Sequence, residues 1–114
     1  MAAHGKKEMA VRNAVRRTSS EQRDILERLV RERGLERFAF FLLTGEGIPL
    51  PDGLEELSGY VLDARGRVFS FWLSWDEAHG RPTLSEWEEE TPEPHWHENA
   101  EYRRARKIVG LRTK

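Results

Sequence analysis

The chain has 114 residues, enough for one hydrophobic core and too few for two. It contains no cysteine, which excludes a disulfide framework, a thiolate nucleophile and cysteine-ligated zinc or iron–sulfur centres. The net charge of −1 conceals a segregation: residues 1–37 carry +4, residues 38–101 carry −11 and residues 102–114 carry +6. Two basic ends flank an acidic middle, a pattern suited to self-association, internal docking or an anionic partner for the ends.

The longest apolar stretch, Phe38 to Leu43, is far shorter than a membrane-spanning helix, and the N-terminus lacks the apolar region of a secretory signal. The chain therefore reads as cytoplasmic, with no membrane partner. Arg supplies 15 of the 19 basic residues, while Asn and Gln together number three, a composition that suits a thermophile and also a GC-rich genome.

Residues 1–17 carry Lys6, Lys7, Arg12, Arg16 and Arg17 among small residues, and read as a basic arm, mobile or ordered only on a partner. A single α+β domain is expected over residues 18–114. At Thr18-Ser19-Ser20 the chain offers two capping boxes, Thr18 with Glu21 and Ser19 with Gln22, so a helix is expected over 20–33. Its apolar face is Ile25, Leu26, Leu29 and Val30, and Gly34 with Leu35 closes it as a Schellman cap.

A strand follows from Glu36 to Thr44, apolar at both parities, with Phe38, Phe40 and Leu42 on one face and Ala39, Phe41 and Leu43 on the other. The Gly- and Pro-rich tract Thr44 to Gly53 is predicted to be a structured loop, and Leu54 to Leu57 a single helical turn. Next comes an antiparallel hairpin over about Leu57 to Trp75. Asp63-Ala64-Arg65-Gly66 has the chemistry of a type I turn with a bulge at Gly66, so Asp63 pairs with Arg67, Val61 with Phe69 and Gly59 with Phe71. In that register Gly59 leaves room for an aromatic ring to lie over the backbone. The opposite face, carrying Ser58, Tyr60, Leu62, Val68, Ser70, Trp72 and Ser74, is mixed and needs a partial cover.

Pro82 to Glu89 reads as an edge strand guarded by acidic side chains. Asn99 is placed to cap a last helix bearing Tyr102, Ala105, Ile108 and Val109, closed by Gly110 and Leu111. The expected fold is thus α+β: about four mainly antiparallel strands with one N-terminal and one C-terminal helix, in the order α-β-β-β-β-α.

Three constellations bear on function. His79, His95 and His97, with Asp76, Glu77 and Glu98, have the donor types for a divalent metal and a metal-dependent enzyme, yet their spacing matches no helix-borne ligand motif; the alternative is exposed loop histidines with Trp96 packing inward. Tyr60, Trp72, Ser70 and Ser74 form a possible stacking platform on the outer hairpin face; the alternative is packing under the C-terminal helix or against a second subunit. The basic residues Lys6, Lys7, Arg12, Arg16 and Arg17, with Arg103, Arg104, Arg106 and Lys107, suit nucleic-acid contact if they share one side, or otherwise a solvated helix face paired with the acidic run. Gly45-x-Gly47 lacks the Lys and Ser/Thr of a phosphate-binding loop. No catalytic residue or cofactor is implied. The leading expectation is a non-enzymatic interaction domain that forms a homodimer, with a nucleic-acid accessory protein as its rival.

Overall fold

The structure, a computed structural model, describes residues 17–112. The four basic arm residues Lys6, Lys7, Arg12 and Arg16 lie outside them. Among the described residues, two α-helices flank a four-stranded antiparallel sheet in the order α-β-β-β-β-α.

Helix α1 spans Ser19–Glu32 and begins at Thr18, whose hydroxyl accepts from the Glu21 N–H while Glu21 reaches back to the Thr18 N–H. The competing box at Ser19 is not used. Gln22 is buried and instead accepts from the Glu55 N–H at 3.1 Å, which ties α1 to the sheet. Gly34, with φ +99°, ends the helix and lets Leu35 turn into the core.

Strands β1 (Phe38–Pro49), β2 (Glu55–Asp63), β3 (Val68–Asp76) and β4 (Arg81–Glu90) lie in chain order, each antiparallel to the next. At the β2–β3 turn the buried Asp63 carboxylate accepts from the Arg65 and Arg67 N–H groups, both at 2.9 Å, and from Arg67 Nε at 2.7 Å. Gly66 takes φ +86°. The resulting register pairs Val61 with Phe69 and Gly59 with Phe71, as the turn chemistry predicts.

One sheet face, with Phe40, Val61, Phe69, Phe71, Leu73 and Leu84, packs beneath Leu26, Leu29 and Val30 of α1. Arg side chains of this region cover the aromatic rims, Arg31 over Phe38 and Arg33 over Trp87. The opposite face carries helix α2 (Ala100–Ile108), which follows a 3₁₀ turn at Pro94–Glu98 and is capped by Asn99. Tyr102 and Ala105 of α2, with Val109 at its C-cap, join Trp96 over Ala39, Phe41, Leu62 and Val68.

Three local expectations are corrected. The Gly- and Pro-rich tract is not a loop up to Gly53, because β1 continues to Pro49, pairing Thr44 with Ser58, Gly45 with Leu57 and Pro49 with Glu55 across two irregularities. As an edge strand, β1 tolerates Pro49 at its end. Only Pro51–Gly53 is a turn, and Leu54 to Leu57 enters β2 instead of a helical turn. Finally, strict alternation in β1 breaks after Phe41: Leu42 has φ +54°, so Leu42 packs with the α2 side and Leu43 with the α1 side.

Candidate functional site

Helix α2 and the preceding 3₁₀ turn occupy only one half of the outer face, the half above Leu62 and Val68 at the β2–β3 turn. The other half, toward the Pro49 and Asp76 ends of β1 and β3, contains a groove of about 360 Å³. Its walls include Leu42, Thr44, Ser58, Tyr60, Ser70, Trp72 and Glu86.

The groove exists because β1 bulges. Between the Phe41–Tyr60 and Thr44–Ser58 pairs, β1 sets two residues, Leu42 and Leu43, against the single Gly59 of β2. A leucine at φ +54° is strained, and such strain persists only where the surroundings fix it. Here the Leu42 N–H donates to Glu101 Oε1 of α2 at 3.2 Å. Gly59 supplies the space below: a Cβ there would stand 3.0 Å from Leu42 O and 3.1 Å from Leu43 Cα. The room at Gly59 therefore admits the β1 backbone, not the aromatic ring that the hairpin register suggests.

Trp72 forms the floor beside Ser70, both half-buried. Its indole N–H donates to Glu56, Ser58 donates to Glu46, and Ser70 donates to Glu90 at 2.7 Å. Opposite them in the β3–β4 register stand Glu86, facing Trp72, and Glu88, facing Ser70. Five carboxylates thus share the open face, three accepting neutral donors. Among the described residues none of the five is ion-paired. The surface combines the half-buried Trp72 ring with a carboxylate rim that has no cation partner among the described residues.

Of the four residues expected as a stacking platform, Tyr60, Ser70 and Trp72 line this groove, while Ser74, paired with Thr83, lies beyond it. Tyr60 is not a free platform: it stacks on Phe41 at 5.3 Å and meets Trp96 edge-on at 5.1 Å, forming the wall between groove and core. Sequence reasoning places Ser58 on this face without including it in the platform, and it misses Leu42, Thr44 and Glu86. The available signal was Gly59, a glycine between Ser58 and Tyr60 in mid-strand.

The three histidines do not converge. His79 lies in the β3–β4 turn, bonded to Asp76 at 2.8 Å, whereas His95 and His97 lie in the 3₁₀ turn after β4. The hydrogen bond to His79 holds the Asp76 carboxyl below its ordinary value. Among the described residues no group of three or more His, Asp or Glu forms a metal-binding cluster.

The basic residues divide. Arg17 is tied to the Pro51–Gly53 turn, donating from N–H to Gly53 O at 2.8 Å and from Nε to Asp52 O at 2.9 Å. Arg106 turns to the Arg112 carbonyl. Arg103, Arg104 and Lys107 line one hollow of about 250 Å³ on the outer side of α2, and Arg103 also donates to His97 O. Comparison with protein-family models, curated proteins and solved structures finds no match.

Proposed function

We propose that the protein is a non-enzymatic interaction domain that forms a homodimer through the open half of its outer sheet face. The observation that carries this reading is the groove at Trp72: an aromatic floor left uncovered by α2 and rimmed by carboxylates without cationic partners among the described residues. Apolar surface flanked by polar groups is the usual anatomy of a protein contact. The same chain carries the complementary charge on α2, so a second copy supplies what the groove lacks. A reducing cytoplasmic setting fits a chain without cysteine, and among the described residues no helix is long and apolar enough to cross a membrane.

Light scattering at micromolar concentration tests this. The expected result is a mass near twice the 13.3 kDa of one chain in low salt, falling toward one chain on dilution or in high salt. A monomer under all conditions overturns the reading.

A second reading, nucleic-acid contact by the basic surface, is favoured by the grouping of Arg103, Arg104 and Lys107 around one hollow. Titration of labelled DNA and RNA at low salt checks it. Binding that weakens steeply with salt supports it, and absence of binding removes it.

A further inference from the structure

We infer that the homodimer is a reciprocal two-fold pairing in which α2 of each copy presents its outer side chains to the Trp72 groove of the other. The inference rests on the self-association proposed above and adds the surface, the symmetry and the partner residues.

The outer face has the shape of a step. Helix α2 stands on one half, and the groove occupies the other half of the same face. Two such faces brought together about an axis lying between the sheets, along the edge of the step, place each raised half over the other's open half. This satisfies the requirement of a closed two-fold contact, that residue i meets j while j meets i. Every favourable contact then occurs twice.

The chemistry of the two halves matches. On the groove side, Glu86 and Glu88 are exposed and have no cation among the described residues. On the helix side, Arg104 and Lys107 are exposed and have no carboxylate among the described residues. Next to them Ile108 is 53% exposed, one of two large apolar side chains so exposed among the described residues. An apolar group flanked by two cations is the complement of an apolar floor flanked by carboxylates. A groove of about 360 Å³ takes side chains and not a helix backbone, so the helix docks by these side chains alone.

Charge exchange tests the pairing on the full chain. The helix variant is Arg104→Glu with Lys107→Glu, and the groove variant is Glu86→Lys with Glu88→Lys; all four positions are exposed, so thermal unfolding should stay near that of the parent chain. Each variant alone is expected to associate at least about tenfold more weakly than the parent, because like charges then face each other twice. An equimolar mixture is expected to form a heterodimer, since both of its contacts join opposite charges. Ile108→Asp provides an independent arm, expected to weaken the parent dimer at least about tenfold without loss of fold. Variants that dimerise as the parent does, or a mixture that stays monomeric, overturn this pairing while leaving self-association standing. A parent chain that is itself monomeric overturns the earlier proposal instead.

Discussion

Gly59→Ala is expected to lower the unfolding free energy by about 3 kcal/mol, near the upper end for overpacking a close contact. The added Cβ would meet Leu42 O at 3.0 Å and Leu43 Cα at 3.1 Å. Neither is the far end of a flexible side chain; both belong to the β1 backbone, whose bulge is held by its own ladder and by the Leu42 bond to Glu101. Relief would require β1 to shift relative to β2, which would close the groove as well as weaken the sheet. For a domain of this size the melting temperature should fall on the order of 15 °C. Circular dichroism melts check this, and a change within a few degrees would show that the bulge yields freely.

Tyr102→Ala should cost about 3–5 kcal/mol, the range for removing a large buried aromatic. Tyr102 is 1% exposed and has ring contacts with Phe41, Trp96 and His97 at centroid distances of 5.1, 5.7 and 5.5 Å. It is the principal apolar anchor of a short helix of nine residues, and helices so short depend on tertiary packing for their existence. Hydrogen exchange should therefore show the α2 amides losing protection more than those of α1, with self-association lost alongside. Equal protection of α2 in the variant would mean that the helix is held by something other than this aromatic cluster.

What was legible in the sequence was what local chemistry decides. Thr18 and Glu21 fix the start of α1, Asp63 and Gly66 fix the hairpin turn, and from that turn the whole β2–β3 register follows. Asn99 and Gly110 likewise bound α2 and its cap. What was not legible depends on partners distant in the chain. The tract from Thr44 to Pro49 has the composition of a loop, yet pairing with β2 keeps it extended because its glycines accommodate the irregular register.

The same reason hid the groove. The parity of Leu42 and Leu43 depends on a bulge, and the bulge depends on the absence of a side chain at Gly59 in the neighbouring strand. Trp72, Tyr60 and Ser70 could be placed on the outer face from alternation alone. That Glu86 stands opposite Trp72 could not, because β4 has its own irregularity after Leu84. Nor could the sequence show that α2 would cover only the half of the face above Leu62 and Val68. That incomplete cover is the structural basis of the proposed association.

Carboxyl footprinting of the full chain, by carbodiimide coupling to glycine ethyl ester at low salt, addresses the occupied surface directly. As protein concentration rises, labelling of Glu86 and Glu88 beside Trp72 is predicted to fall several-fold, while Glu32 of α1, the helix on the other face of the sheet, stays unchanged. Equal labelling of Glu86 and Glu88 at concentrations where the chain is dimeric would contradict the account, because the interface would then lie elsewhere.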